Sequence, residues 1–192
     1  MTEIRWHGRG GQGAKSASQL LALAQLRAGY SVQAFPEYGP ERTGAPMRAY
    51  NRVDGRPIRR HDGVGAPDLA VVLDPALVLE SAVADGLGQG GTLVVNWAGE
   101  GAERAVREAT GFAGRVVCLD ADALARRAGT RYANVVMVGA LAGLLGEPSA
   151  ADLEAAAAEL FGRLGPTALA STQKAIALGR AAVEGGRAKW TA

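Results

Sequence analysis

The sequence predicts an α/β fold: a doubly wound, mainly parallel sheet with helices on both faces and a helical C-terminal portion. Three observations carry that prediction. Strand-length apolar runs alternate with helical segments along the first two thirds of the chain. The runs "DLAVVLD" and "GTLVVNW" are nearly continuous in apolar residues, as strands covered on both faces are. Beyond residue 121, only helical spacing recurs.

The elements follow in order. "EIRW" reads as a short first strand. After a glycine-rich turn, Leu20, Leu21, Leu23, Ala24 and Leu26 recur at helical spacing until Gly29 stops the helix. "YSVQAF" reads as a second strand, so the first 35 residues form a strand-helix-strand unit of the kind that favours parallel pairing. "MRAYNRV" alternates as a strand does, and Asp54-Gly55 predicts a hairpin into "RPIRR". "PALVLESAVADGL" has a proline suited to a first helical turn and ends at glycine, which predicts a helix over 75–87. "GAERAVREATG" predicts a helix between two more strands, the second being "RVVCLDA". Four helical segments close the chain, the third opened by Ser149 and Asp152 in capping-box spacing. With 192 residues, 48% of them hydrophobic, a single domain over 1–192 is expected.

Composition excludes several functions. The 21 basic and 19 acidic residues are scattered, which argues against a nucleic-acid partner. A lone cysteine, Cys118, cannot build a disulfide framework, a zinc site or an iron–sulfur site, and its apolar neighbours predict a buried structural thiol. His7 and His61 are too few for a metal triad and read as surface or capping residues. No signal-peptide profile opens the sequence and no apolar run reaches 18 residues, so a cytoplasmic protein with no membrane partner is expected. The longest such run, 133–145, predicts a core helix.

The turn "HGRGGQGAKSAS" is the first candidate site. Gly8, Gly10 and Gly13 satisfy G-x-G-x-x-G between a strand and a helix, where free N–H groups and the helix dipole favour an anion. The ribose-binding carboxylate of a dinucleotide fold is missing, since Glu37 falls in a proline-flanked turn. Ala14 separates Gly13 from Lys15-Ser16, which rotates the lysine by about 100° from its place in a P-loop. Two readings stay open for Gly8, Arg9, Gly10, Gly11, Gln12 and Gly13: a bound anion or partner contact, and tight packing.

Together, "HGRGGQGAKSASQLLALA", "FPEYGPERTGAPMRAYNRV" and "RYANVVMVGALAGLL" resemble the gamma subunit, or fused gamma domain, of the 2-oxoacid:ferredoxin oxidoreductases. The resemblance extends over nearly the whole chain. It implies a complex that decarboxylates pyruvate or another 2-oxoacid on thiamine diphosphate, passes electrons through iron–sulfur clusters to ferredoxin, and releases the acyl group to coenzyme A. It also implies that these cofactors belong to the alpha, beta and delta subunits and that this chain holds none. One cysteine, and no G-D-G motif followed by asparagine, agree with that division.

The second motif carries the candidate interface: Glu37, Tyr38, Gly39, Glu41, Arg42 and Gly44. Its glycines and prolines bend and stiffen the backbone, which projects Arg42 either toward a partner's carboxylate or phosphate or into a pair with Glu37 or Glu41. The resemblance implies a homodimer for the isolated chain. The expected role is a non-catalytic subunit, and the alternative is a self-sufficient dinucleotide- or mononucleotide-binding protein. The resemblance further implies that other subunits set which 2-oxoacid is processed.

Overall fold

Alternation along β1 (Thr2–Arg9) sorts its side chains onto two faces. Ile4 and Trp6 enter the larger core, while Glu3, Arg5 and His7 face the other way. The computed structural model describes residues 1–37, 44–80 and 82–183. Five further strands join β1: β2 (Ser31–Glu37), β3 (Pro46–Asp54), β4 (Leu69–Val72), β5 (Thr92–Asn96) and β6 (Arg115–Leu119). They form one sheet in the order β2-β3-β1-β4-β5-β6. β1, β4, β5 and β6 pair in parallel, and β3 runs antiparallel between β1 and β2.

The helices are α1 (Ala14–Arg27), α2 (Leu77–Glu80), α3 (Ala102–Thr110), α4 (Ala121–Ala128), α5 (Ala133–Leu145), α6 (Ala150–Phe161) and α7 (Pro166–Val183). α1, α4, α5, α6 and α7 build the larger core on one face. Val78 and Val106, from α2 and α3, join Ala70, Val72, Leu93 and Val95 in a smaller core on the opposite face. The doubly wound α/β expectation therefore holds, with helices on both faces and a helical C-terminal portion.

Three local expectations need correction. β1 and β2 run in the same direction but do not touch, because β3 is inserted between them. The hairpin into "RPIRR" does not form: both edges of β3 are already taken, by β1 and β2, so a further strand has nowhere to pair. The helix expected over 75–87 is the single turn α2, after which residues 83–86 turn back and carry the carbonyls that hold Arg5.

Residues 134–145 of α5 are all buried, in agreement with the core reading of the apolar run. No single described helix is long and apolar enough to cross a membrane. The backbones of α5 and α7 meet where Gly139, Gly143 and Gly179 face each other's chains. Ser149 and Asp152 complete the predicted capping box, each side chain bonded to the other's backbone N–H. β2 is one edge of the sheet, and Pro36 within it brings no N–H to a ladder.

Candidate functional site

The sheet changes winding direction between β1 and β4: α1 leaves β1 on one face, and α2 leaves β4 on the other. Such a switch point opens a crevice at the carboxyl ends of the strands, where α/β folds commonly bind ligands. The glycine turn sits at that end of β1, and Asp74 at that end of β4. Leu73 N–H donates to the His7 carbonyl at 2.8 Å and ties the two strand ends together.

The turn is braced by its own polar groups. Arg9 Nε donates to Asp74 Oδ2 at 2.9 Å, Nη2 to Glu80 Oε2 at 2.5 Å and Nη1 to the Gly44 carbonyl at 3.2 Å. Gln12 Nε2 donates to the same Asp74 oxygen at 2.9 Å, while its Oε1 accepts the Arg9 N–H at 2.7 Å. Gly10 N–H donates to the Ala45 carbonyl at 3.0 Å, so the two sequence motifs meet across the rim. Burial works against the charge on Asp74, yet Gln12, the Ala76 N–H and Arg9 outweigh it and hold the carboxyl below its usual range. Glu80 and Asp74 in turn raise the Arg9 guanidinium above its ordinary value.

Gly13 is the N-cap of α1, with φ +80° and no side-chain cap. A Cβ there would lie 2.5 Å from Asn134 Nδ2, which donates to the Gly13 carbonyl at 3.1 Å. Gly13→Ala is therefore expected to destabilise the chain by about 1–2 kcal/mol from the left-handed backbone alone, and by more with the clash. Urea unfolding measures it, and an unchanged midpoint would remove this account of the turn.

Two cavities flank the turn and share Gly11, Gln12, Arg131, Tyr132 and Asn134 in their walls. One, of about 510 Å³, adds Ser16, Thr172 and the apolar Phe161 and Leu164. The other, of about 540 Å³, adds Asp74 and Asp122. Asn134 is 6% exposed and its Oδ1 has no partner. At the neighbouring strand end, Asn96 Nδ2 donates to the Leu73 carbonyl and to Asp122, and Asn96 Oδ1 accepts the Ala121 N–H. The turn thus meets carboxylates at Asp74 and Glu80 that already hold its only arginine, an electrostatic setting that disfavours a pyrophosphate and the nucleotide-binding alternative.

Of the sequence candidates, Gly8, Arg9, Gly10, Gly11, Gln12, Gly13 and Gly44 lie together here, and Glu37 accepts the Tyr50 hydroxyl on the adjoining strands. Tyr38, Gly39, Glu41 and Arg42 lie outside the described residues. Sequence reasoning missed Asn134 and the Asp74–Glu80 pair. The signal for Asn134 was an amide at the head of an otherwise apolar helix, which needs a reason to be buried. Asp74 was visible as a carboxylate ending a buried strand.

Two side chains depart from their sequence readings, Cys118 in being only half-buried and His7 in being buried. Cys118 lies half-buried on the wall of a separate hollow beside Arg107 and Trp97, where burial, with Glu103 nearby, pushes its thiol up to about 11. It stays protonated near neutrality and is a poor nucleophile. His7 is not at the surface as expected: it is 2% exposed and accepts Arg5 Nε on its Nε2 at 2.9 Å. Burial first, then Arg5 and Arg48, lower its pKa to about 3.

Because the folded value lies below the unfolded 6.5, the unfolded chain binds the extra proton, and stability drains away as pH falls from about 6.5 toward 3. A loss of about 2 kcal/mol between pH 7 and pH 5 is expected in urea unfolding, and His7→Gln should flatten that slope. Carboxylates such as Asp74 act in a lower window, below their unfolded values, and leave this interval unchanged.

Comparison with known proteins gives consistent results. Residues 3–182 match the family profile described as pyruvate ferredoxin/flavodoxin oxidoreductase. The chain is 46% identical over 173 residues to pyruvate synthase subunit PorC of Thermotoga maritima, covering 90% of this chain and 88% of that protein. It is 40% identical over 167 residues to the pyruvate/ketoisovalerate oxidoreductases common subunit gamma of Thermococcus kodakarensis, covering 86% and 90%. The crystal structure of pyruvate oxidoreductase subunit PORC from Thermotoga maritima is similar with a TM-score of 0.82 at 41% identity, covering 94% of this chain and 95% of that one.

Proposed function

Since the chain belongs to the pyruvate ferredoxin/flavodoxin oxidoreductase family and is a gamma-type subunit of a 2-oxoacid:ferredoxin oxidoreductase, we propose that it docks on thiamine-binding companion subunits and has no complete active site of its own. The observation that carries this reading is the closed network of Arg9, Gln12, Asp74 and Glu80. Groups that satisfy one another are poorly placed to abstract protons or attack a carbonyl, but they hold a shaped rim rigid. The rim presents the glycine turn, Gly44 and Leu79, an apolar side chain left 75% exposed beside Glu80. A rigid rim of this kind suits contact with another subunit.

In this reading Glu37, Tyr38, Gly39, Glu41, Arg42 and Gly44 extend the same interface. Alpha, beta and delta companions hold thiamine diphosphate and the iron–sulfur clusters, and ferredoxin is met only through them. The cavities beside Gly11 and Asn134 border the path of coenzyme A. The assembly works in the cytoplasm, and the isolated chain is a homodimer, which size-exclusion chromatography with light scattering measures.

Co-expression tests the proposal. The purified chain alone is expected to oxidise no 2-oxoacid, while the chain expressed with its companions should co-purify with them and restore oxidation with ferredoxin reduction. Turnover by the isolated chain, or failure to bind any companion, would overturn it. NAD, FAD and ATP at millimolar concentration should leave the melting temperature of the isolated chain unchanged, since a ligand specific for the folded state would raise it.

A further inference from the structure

Helices α5 and α7 run in the same direction and end together. Gly139 faces the backbone of Ile176 and Gly143 that of Arg180, while the side chain of Val183, the last residue of α7, lies 2.8 Å from the Cβ position of Gly143. Arg180 Nη1 donates to the Pro148 carbonyl at 2.8 Å, just past the end of α5. Where the two helices end, a hollow of about 620 Å³ opens between Leu145, Gly146 and Glu147 on one side and Met1, Tyr30 and Val53 on the other.

The acids of this hollow already have partners. The Met1 ammonium lies 3.2 Å from Asp54, which also accepts the Arg56 N–H, and Glu147 accepts the Tyr30 hydroxyl. Met1, Val53 and Leu145 supply an apolar wall, and α5 ends against it with carbonyls that have no partner within the helix. Gly55, Arg56, Gly146 and Glu147 at the mouth are exposed, so the hollow is open to solvent. A large apolar group that donates a hydrogen bond and accepts none suits it, and among side chains the indole of tryptophan has that chemistry.

Residues 184–192 follow α7 in the sequence, lie outside the described residues, and include Trp190 after the flexible pair Gly185-Gly186. From Val183 to Trp190 an extended chain reaches about 24 Å. The hollow begins at Leu145, only about 3 Å further along α5 than Gly143, where Val183 rests. The cavities beside the glycine turn lie at the opposite ends of α5 and α7, lined by Asn134 and Ala168, and the one beside Cys118 adjoins α3 on the other face of the sheet. We propose that Trp190 of this chain's own C-terminal segment seats in the hollow between Leu145, Tyr30 and Met1, and so fastens the end of α7 to the start of β1.

A photo-cross-linking p-benzoylphenylalanine at position 190 of the full chain tests it. The expected product is a link within one chain to Met1, Val53 or residues 145–147, with or without companion subunits present. In hydrogen exchange, the amides of Tyr30 and Gly146 should open at least about threefold faster in Trp190→Ala than in wild type. Exchange at Met137, inside the core, should be equal in both, which separates an unseated ring from a loosened fold. A link to a second copy or to a companion, a link elsewhere in the chain, or equal exchange at Tyr30 and Gly146 overturns the proposal.

Discussion

Gly139→Ala is expected to destabilise the chain by about 3 kcal/mol, at the upper end of what overpacking costs. A Cβ at Gly139 would lie 2.0 Å from the Ile176 carbonyl oxygen, and one at Gly179 would lie 2.0 Å from that of Val136. Both obstacles are backbone atoms of the facing helix, so no rotamer change relieves them. The helix-propensity gain of alanine over glycine, about 1 kcal/mol, is too small to compensate. Relief requires α5 and α7 to separate, which opens the core around Met137, Leu141 and Ile176. Gly162→Ala is the control: nothing lies within 4 Å of its Cβ position and its φ of −55° suits any residue. That variant should match wild type or gain less than about 1 kcal/mol. Urea unfolding followed by circular dichroism compares them, and equal midpoints for the two variants would refute the close-packing account.

Arg52→Met should cost about 3–5 kcal/mol, the range found when one partner of a buried ion pair is removed. The guanidinium is wholly buried. Its Nε donates to Glu3 Oε1 at 2.7 Å, its Nη2 to the Asp62 carbonyl at 2.7 Å and to that of Gly63 at 3.2 Å, and its Nη1 to Gln33 at 3.3 Å. It also stacks over the Phe35 ring at 5.5 Å. Losing it leaves the Glu3 carboxylate with the longer Arg60 contact at 3.9 Å and loosens residues 55–63, which the Gln33 bond to the Arg60 carbonyl still ties to β2. Arg60, half-exposed and paired with Asp62 and at longer range with Glu3, marks the contrast: Arg60→Ala should leave the urea midpoint close to wild type, because solvent screens exposed pairs. Hydrogen exchange over 55–63 should accelerate strongly in the Arg52 variant and little in the Arg60 one.

The elements legible in the sequence were those whose local pattern coincides with their burial. β4 and β5 lie inside both cores, so their unbroken apolar runs identified them, and α5 was recognisable because every side contacts protein. The insertion of β3 between β1 and β2 was not legible, because strand order is decided by which edges remain free, a non-local condition. That same condition erased the hairpin that Asp54-Gly55 favours locally. The shortness of α2 follows from a demand outside its own sequence, since residues 83–85 must turn back to supply carbonyls to Arg5.

The candidate site divides the same way. The glycine turn was visible from spacing, and its pairing with Gly44 and Ala45 follows from the β1–β3 register. That Arg9 is held by Asp74 and Glu80 was hidden, because those partners lie more than sixty residues away. Asn134 was equally hidden: its amide is explained only by the Gly13 carbonyl beside it.

The backbone contact between α5 and α7 also sets an order of events during synthesis. α5 is apolar on every side, yet its last partner, α7, emerges from the ribosome only after α6 has been made. Until residues 166–183 are available, the nascent chain carries an apolar helix uncovered along the side that α7 will take, the kind of surface that chaperones bind. A polypeptide stopped before α7 would therefore be a client for holding or degradation, and the cell would be spared a half-built subunit competing for its companions.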